Sequence, residues 1–414
     1  MANGYKRNGP LSGLSERLSG GPNLLQVIIG PRQVGKTTAI RQFLSETSIP
    51  SVYATADLLA PPSTGWIAGR WAEARELCER GGGVLLVFDE VQKIPRWSEA
   101  VKRFHDEDVF SHSRLRTVIL GSSSLLVQKG LNESLAGRFE LIPFRHWSFA
   151  ECREAFGVDL EHFVFFGGYP GAIALLLAAG GDEVRWQQYV RDALIEPVLG
   201  RDILLMNPIE KPALLRQVFH LACAHPAEIL AFAKMVGQLQ DAGNATTVAS
   251  YLDLLGSAGL VVPLSRFSGS VVRQRASSPK ILILDNALTN AAVGREFDVA
   301  KADGARWGRL AENAVGAHLY NLLSHRGAAL HYWRERGDEV DFVVKKGETI
   351  VGVEVKSGRA KIGKGIQAFC KRFKGSKALV VGGDEMPLEE FLLGDPYPVL
   401  FGWPNGAPRD GVPN

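Results

Sequence analysis

The sequence predicts an α/β protein of several domains, with an N-terminal parallel sheet, a helical middle region and a C-terminal α/β domain. The chain has 414 residues, too many for one small core, which suggests two or three domains. Residues 24–29 form a short, largely apolar run and residues 84–88 a continuous apolar one, typical of buried strands and, for the second run, of a parallel strand covered on both faces. Near the C-terminus, apolar and charged residues alternate instead, which favours strands with two different faces.

Composition and charge exclude several classes of protein. Hydrophobic residues make up 46% of the chain and charged residues 22%, and the sequence contains no apolar run of the roughly eighteen residues that predict a membrane span. The N-terminus lacks the pattern of a secretory signal. A net charge of +3 argues against a uniformly basic nucleic-acid binder. Four widely separated cysteines favour a reducing, cytoplasmic location over a zinc site or disulfides: Cys78, Cys152, Cys223 and Cys370.

The segment after the first apolar run has the pattern of a phosphate-binding loop. Residues 30–37 have the sequence GPRQVGKT, and a predicted helix follows over residues 38–44. In a strand, loop and helix, the backbone N–H groups and the positive helix end attract phosphates. We expect Lys36 to reach the β- and γ-phosphates of ATP and the Thr37 hydroxyl to ligate Mg²⁺. The predicted ATP-binding residues here are Gly30, Pro31, Arg32, Gln33, Val34, Gly35, Lys36, Thr37 and Thr38.

Further candidates for ATP chemistry follow two other predicted strands. The second apolar run ends in Asp89, suited to the Mg²⁺ shell, and Glu90, suited to polarising the attacking water; the alternative is an acidic pair that caps the next helix. After the predicted strand at 117–120, Ser122 is expected to sense the γ-phosphate or, alternatively, to cap a helix. Arg138 is a candidate arginine finger or an ordinary surface charge.

These motifs, in this order and spacing, resemble those of bacterial and archaeal AAA-type ATPases with a C-terminal domain of unknown function 4143. The further matching segments are VFDEVQK at 87–93, LGSSS at 120–124, SLAGR at 134–138 and GGYP at 167–170. The resemblance covers nearly the whole chain. It implies a core like those of AAA+ and STAND ATPases, with a lid that places Pro170 near the adenine base. It also implies an arginine acting on a neighbouring subunit, and hence a homo-oligomer such as a hexameric ring.

The middle of the chain resembles a winged helix. Helices are predicted over residues 229–236 and 246–260, followed by a loop and a strand at 280–284. Winged helices bind nucleic acid or serve as protein contacts, and this segment is not notably basic. The predicted domains are an ATPase core at 1–165, a helical lid and winged-helix-like region at 166–300, a nuclease-like domain at 301–402 and a loose tail at 403–414.

Four charged residues near the C-terminus resemble the active site of PD-(D/E)xK nucleases. One lies in a predicted helix at 309–319, and the others lie on two predicted strands joined by a turn at Gly347. Val340 stands where the superfamily pattern has proline. Three carboxylates beside a lysine are suited to bind one or two Mg²⁺ ions that act on a phosphodiester. The alternative is an amphipathic hairpin whose charged residues face the solvent. The matching residues are Glu312, Asp341, Glu354 and Lys356.

DNA is the expected partner and ATP with Mg²⁺ the expected cofactor. Residues 358–377 carry seven basic residues and no acidic one, which favours contact with a nucleic-acid backbone or, alternatively, a solvated helix over the sheet. The sequence thus predicts an ATPase that remodels or translocates on DNA such as junctions, with cleavage left open. The alternatives are a STAND-like signalling switch and a branched-DNA motor without cleavage. The predicted DNA contacts are Arg359, Lys361, Lys364, Lys371 and Arg372.

Overall fold

The computed structural model separates into two compact units. The first comprises residues 1–145, 193–210 and 257–259, and the second comprises residues 146–192, 211–256 and 260–414. The described residues are 4–7, 9–57, 63–121, 130–131, 134–206, 209–240, 243–268, 277–356, 363–384 and 386–402. Three predicted site residues, Ser122, Arg359 and Lys361, lie outside the described residues, as does the predicted loose tail.

A five-stranded parallel sheet forms the centre of the first unit. The strands are β1 (Leu25–Ile29), β2 (Ser51–Thr55), β3 (Val84–Asp89), β4 (Leu115–Gly121) and β5 (Phe139–Pro143). Their order across the sheet is β2-β3-β4-β1-β5. The accompanying helices are α1 (Leu14–Ser19), α2 (Lys36–Glu46), α3 (Thr64–Glu79) and α4 (Trp97–Phe110). β1 and β3 are buried at every residue, so the prediction of strands covered on both faces is confirmed.

Two later stretches of chain return to the first unit. Residues 193–210 contain a π-helical turn, Val198–Asp202, and a short helix, Ile203–Met206. Residues 257–259 are the second stretch. We call these two stretches the return segments.

The middle part of the second unit is helical and ends in a two-stranded ribbon. Its helices are α5 (Phe149–Phe156), α6 (Leu160–Phe166), α7 (Pro170–Ala178), α8 (Glu183–Tyr189), α9 (Pro212–Ala224), α10 (Phe232–Gln238) and α11 (Ala245–Ser257). The antiparallel ribbon pairs β6 (Val261–Leu264) with β7 (Lys280–Ile283). The helix predicted to begin at Ile229 begins instead at Phe232, because Ile229 pairs with Lys280 and the Leu230 N–H donates to the Pro279 carbonyl.

A mixed sheet forms the C-terminal part of the second unit. Its strands are β8 (Ala329–Glu335), β9 (Asp338–Lys346), β10 (Thr349–Val355) and β11 (Lys377–Val381). The helices are α12 (Asn286–Val293), α13 (Phe297–Ala302), α14 (Gly304–Leu323), α15 (Lys364–Arg372), α16 (Leu388–Leu393) and α17 (Pro396–Phe401). β9 and β10 form the predicted antiparallel hairpin, and β11 adds to β10 in parallel. α15 packs on this sheet through Ile366 and Phe369, which belong to the core.

The GGYP motif at 167–170 makes the break between α6 and α7. The Gly168 N–H donates to the buried Asp285 carboxylate at 2.9 Å, and the same carboxylate accepts the Ala287 N–H at the start of α12. Burial raises the pKa of Asp285 to about 7. Within the described part of the chain, no helix alone has the length and apolar character to cross a membrane; α6 and α7 together meet those criteria but are bent by 115°.

Candidate functional site

The predicted phosphate-binding loop lies between β1 and α2, at the carboxyl edge of the parallel sheet. Gly30 is essential to its path, because a Cβ atom there would lie 1.8 Å from the carbonyl oxygen of Phe144. Gln33 and Gly35 both have left-handed backbone angles, with φ of 57° and 92°. The loop therefore turns sharply and enters α2 at Lys36, where the N–H groups and the positive helix end attract anions.

Lys36 is buried inside this loop. Its Nζ donates to the carbonyl oxygens of Gly30 at 3.0 Å and Pro31 at 2.6 Å. Burial lowers the pKa of Lys36 to about 8, although Glu90 and Asp89 act in the opposite direction. A phosphate placed in the loop would offer this ammonium an anionic partner in place of two neutral carbonyls.

Thr37 and Asp89 meet next to the loop, as a site for magnesium requires. The Thr37 hydroxyl donates to Asp89 Oδ2 at 2.9 Å, and the Tyr53 hydroxyl donates to the same oxygen at 2.6 Å. Hydroxyl, carboxylate and phosphate oxygens are the ligands that Mg²⁺ prefers, so these residues fit an ion carried by ATP. Burial and the contact with Asp89 raise the pKa of Tyr53 to about 12, so Tyr53 remains a donor that orients the carboxylate.

Glu90 is held in a fixed position directly after β3. Its φ is 60°, a left-handed value that costs a non-glycine residue about 1–3 kcal/mol. The Glu90 N–H donates to the Leu120 carbonyl at 3.1 Å. Its carboxylate accepts a hydrogen bond from Gln92 at 3.0 Å and lies 3.6 Å from the Lys93 ammonium. A carboxylate oriented in this way suits the general-base role that the sequence predicts.

The side chains of the loop are held by the return segments. Arg32 makes a two-pronged ion pair with Asp202, with Nη2 to Oδ1 at 2.6 Å, and this bond raises the pKa of Arg32. Gln33 Nε2 donates to the Ala193 carbonyl at 3.1 Å. Gly259 packs on Pro31, since a Cβ at Gly259 would lie 2.7 Å from the proline Cγ. Three loop residues predicted to bind ATP therefore also connect the loop to distant parts of the chain.

Arg138 lies at the amino ends of the strands of the same sheet, opposite the carboxyl ends where the phosphate loop lies. Its carbonyl accepts the Leu25 N–H at the first residue of β1, whereas the phosphate loop follows the last residue of that strand. Leu25 and Ile29, the two ends of β1, are four residue steps apart, which corresponds to about 13 Å. The Arg138 guanidinium pairs with Asp106 on α4, at 2.6 and 3.0 Å. In this geometry Arg138 does not reach the phosphate loop of its own chain.

The remaining ATP-site predictions lie in different places. Thr38 is exposed on the first turn of α2, and Val34 is buried below the loop. Pro170 begins α7 in the second unit. Tyr53 and Asp202 were not predicted from the sequence; the alternation of buried and half-buried residues along β2 is the local signal that places Tyr53 on a defined face.

The second predicted site, in the C-terminal domain, is built around a lysine that the sequence did not reveal. Lys280 on β7 has a fully buried side chain, and its ammonium lies 2.5 Å from Glu312 Oε1, 3.5 Å from Glu339 and 3.6 Å from Asp341. It also donates to the Asp341 carbonyl at 3.1 Å. Burial alone would lower the pKa of Lys280, but the carboxylates outweigh burial and raise it.

Glu354 and Lys356, the two charged residues of the predicted E-x-K motif, also neutralise each other's charge. Glu354 Oε1 lies 2.5 Å from the Lys356 ammonium. The Glu354 carboxylate also sits against the N-terminus of α15, since a Cβ at Gly363 would lie 2.4 Å from it. The other oxygen of Asp341, Oδ2, accepts the Val355 N–H at 2.8 Å. The four predicted residues thus lie in one region, with a cation paired to each carboxylate.

The charges of this region balance without a metal ion. Arg309 lies 3.0 Å from Glu312, and Arg334 lies 4.0 Å from Glu339. Among the described residues, no three His, Cys, Asp or Glu side chains converge in an arrangement able to hold a metal ion. The metal site predicted at Glu312, Asp341 and Glu354 therefore stays a prediction, and one carboxylate oxygen of it, Glu354 Oε2, is buried without a hydrogen-bond partner. The paired groups are Glu312, Glu339, Asp341 and Glu354 with Lys280, Arg309, Arg334 and Lys356.

A basic surface lies on the same domain. Three predicted DNA contacts, Lys364, Lys371 and Arg372, are exposed on α15. Arg372 also borders a cleft lined by Arg266, Arg334, Glu335 and the aromatic rings of Phe267, Trp333 and Phe373. Phe369, in contrast, is fully buried, so it stabilises the domain and is not available to stack on bases.

Three consecutive segments of the chain match the models of known families. Residues 23–153 match an AAA domain (AAA_14), residues 157–298 match a domain of unknown function (DUF8612), and residues 307–393 match a domain of unknown function (DUF4143). Lys280 therefore comes from the second match, whereas the carboxylates around it come from the third.

Relatives are found in bacteria and archaea. An uncharacterized protein of Mycobacterium tuberculosis is 29% identical over 331 residues, which are 80% of this chain and 69% of that protein; a protein of Mycobacterium bovis gives the same values. An uncharacterized protein of Methanocaldococcus jannaschii is 23% identical over 63% of this chain and 58% of that protein, so the chain spans less than two thirds of this relative's length.

Solved structures of DnaA give weaker similarity. AMPPCP-bound DnaA from Aquifex aeolicus is 14% identical, with a TM-score of 0.31 over 61% of this chain and 89% of that chain. The replication initiator DnaA bound to AMPPCP and single-stranded DNA is 17% identical, with a TM-score of 0.32 over 60% of this chain and 88% of that chain.

Replacing Gly30 by alanine should disrupt the phosphate loop. The added methyl group would overlap the Phe144 carbonyl, and overpacking of this kind costs about 3 kcal/mol. We expect a lower melting temperature and loss of binding of a fluorescent ATP analogue. Gly69→Ala is the matched control, because its Cβ would meet no atom within 4 Å and alanine favours the helix. A Gly30→Ala protein that melts and binds as the wild type does would contradict the geometry.

Replacing Asp202 by asparagine should weaken nucleotide binding from outside the loop. The side chain of Asp202 is 6% exposed and that of Arg32 is 26% exposed, so losing this half-buried pair should cost about 1–2 kcal/mol, or roughly 5- to 30-fold in ATP affinity. Calorimetric titration with a non-hydrolysable ATP analogue measures the change. Glu99→Gln, which removes the exposed pair with Arg96, is the control. Tighter binding in Asp202→Asn would mean that Asp202 competes with ATP for Arg32.

Proposed function

We propose that this chain, which matches an AAA domain over residues 23–153 and DUF4143 over residues 307–393, hydrolyses Mg²⁺-ATP to remodel or translocate on DNA. The C-terminal domain holds the DNA, and subunits assemble so that each completes its neighbour's ATP site. The observation that carries this proposal is the phosphate loop with its adjacent Thr37–Asp89 pair and oriented Glu90.

The residues of the first unit support a division of roles in ATP hydrolysis. The loop N–H groups and Lys36 bind the phosphates, and Thr37 and Asp89 hold the ion that ATP brings. Bound Mg²⁺ neutralises charge on the phosphates. Glu90 accepts a proton from the attacking water, and its fixed backbone keeps the carboxylate oriented between nucleotide-binding events.

Charge on the second unit supports DNA as the partner. Exposed Lys364, Lys371 and Arg372 lie on one helix, and the cleft beside Arg372 has three arginines against one glutamate. Such surfaces bind phosphate backbones without sequence preference. The order α9, Ile229 bridge, α10, α11 and ribbon is that of a winged helix, but α11 carries no Lys or Arg, so we assign it to protein contacts.

The position of Arg138 supports assembly. An arginine that lies a full strand length from its own phosphate loop can act as a finger only on a neighbouring subunit. Head-to-tail contacts place one edge of a subunit against the opposite edge of the next, and they close into rings. Asp106 holds the guanidinium until the γ-phosphate of the neighbour replaces it.

DNA should stimulate ATP hydrolysis. We expect faster phosphate release with one of three DNA forms, single-stranded, duplex or four-way junction, and no hydrolysis in Lys36→Ala or Glu90→Gln. Running the DNA on a gel afterwards shows whether strands were separated. If no DNA form changes the rate or is altered, the DNA proposal fails and a nucleotide-dependent signalling switch becomes the better account.

A double substitution on α15 tests whether its basic residues bind DNA. Lys371→Gln with Arg372→Gln should lower DNA affinity and reduce the slope of log affinity against log salt by roughly one to two. Basal ATP hydrolysis without DNA should not change. The matched control is Arg70→Gln with Arg80→Gln, two exposed arginines of the first unit. Equal losses in both pairs would indicate a general charge effect instead of a DNA-binding surface.

Mixing two inactive variants tests whether Arg138 acts between subunits. Arg138→Ala should lower kcat by roughly 10³-fold. Glu90→Gln should be inactive because it lacks the carboxylate that accepts a proton from the attacking water. In an equal mixture, roughly a quarter of the interfaces pair an intact Glu90 with an intact Arg138 of the neighbour, so activity should return. Asp106→Asn, which frees Arg138 without removing it, should remain active. A mixture that stays inactive would contradict action in trans.

A further inference from the structure

The C-terminal domain has the residues of a metal-dependent nuclease site but a different distribution of charge. In such a site, Glu312, Asp341 and Glu354 would present oxygens to a divalent ion. Here Lys280 extends from β7 into the space beside Glu312 and Asp341, with its ammonium 2.5 Å and 3.6 Å from their carboxylate oxygens.

We propose that the ammonium of Lys280 replaces the metal ion, and that this domain therefore binds no divalent ion at the site and does not cut DNA by metal-dependent hydrolysis. The inference goes beyond the proposed function and does not depend on it, because it concerns the charge of the site and holds whether or not DNA is the partner.

Distance and charge both exclude the ion. Mg²⁺ lies about 2.0–2.1 Å from its oxygen ligands, and the Lys280 Nζ already stands 2.5 Å from Glu312 Oε1. A divalent ion at this carboxylate would therefore sit against a buried ammonium. Arg309, Arg334 and Lys356 pair with Glu312, Glu339 and Glu354, so that four cations balance the formal charge of the four carboxylates, although Glu354 Oε2 is buried and accepts no hydrogen bond from the described residues.

The position of Lys280 is fixed by several elements, so it does not swing away to admit an ion. Its backbone pairs with Leu264 of the ribbon and with Ile229. Its ammonium donates to the Asp341 carbonyl and lies 5.0 Å from the centre of the Phe342 ring. Withdrawal of the side chain would leave Asp341 without its cation and the buried Glu312 with Arg309 alone, which is unfavourable.

The test is the binding of Mn²⁺ to the full chain without nucleotide, measured by electron paramagnetic resonance. Every protein carries Asp89→Asn, so that the magnesium position of the ATP site does not contribute. We expect no tightly bound Mn²⁺ in the protein with Lys280 intact. Lys280→Ala should gain one bound Mn²⁺ per chain, and adding Asp341→Asn should abolish it again.

The protein with Lys280 intact keeps the test decisive if Lys280→Ala does not fold. One Mn²⁺ bound to that protein and lost with Asp341→Asn would overturn the proposal. So would nicking of duplex DNA by the wild-type chain in Mg²⁺ or Mn²⁺ that disappears in Asp341→Asn. A Lys280→Ala protein that has the wild-type circular dichroism spectrum but gains no Mn²⁺ would overturn the assignment of metal exclusion to Lys280.

Discussion

The ion pair between Arg32 and Asp202 is the contact on which the nucleotide site most depends. A phosphate loop must keep its N–H groups available for the ligand, so its shape is maintained by its side chains and by the packing around it. Arg32, Gln33 and Pro31 each contact a return segment that lies far along the sequence. Both segments belong to the same unit as the loop, although most of the chain around them belongs to the second unit. The pair is half buried and two-pronged, a geometry that makes it strong and directional.

The sequence predicted what is determined locally and missed what depends on distant partners. β3 matched the prediction within one residue because a strand covered on both faces must be apolar throughout. The phosphate loop was equally recognisable, since its glycines and lysine act within one turn of chain. The start of α10 was misplaced because pairing of Ile229 with β7 overrides a helical pattern. Nothing near Asp202 in the sequence indicates its partner Arg32, which lies 170 residues away. The same is true of Lys280 and its partner Glu312, which are 32 residues apart.

The direction of the parallel strands explains why the phosphate loop and Arg138 are separated. All five strands run the same way, so the residues that follow them share one edge and the residues that precede them share the other. Asp89, Glu90 and the phosphate loop follow strands, whereas Arg138 precedes β5. No side-chain rotation moves Arg138 across the sheet. Under the proposed function, an arginine at this position acts only on the ATP site of another molecule.

Lys280 and the carboxylates around it show how an ionic cluster can join separate parts of a fold. Buried ion pairs are weak evidence for stability, because desolvation offsets their attraction and apolar residues of similar size often serve as well. Their advantage is specificity. A shift of β7 by one residue would turn Lys280 away from the three carboxylates it contacts and leave Asp341 without its cation. The cluster therefore fixes the register of the ribbon against the C-terminal domain. The cluster thereby joins two segments that the family matches assign to separate domains.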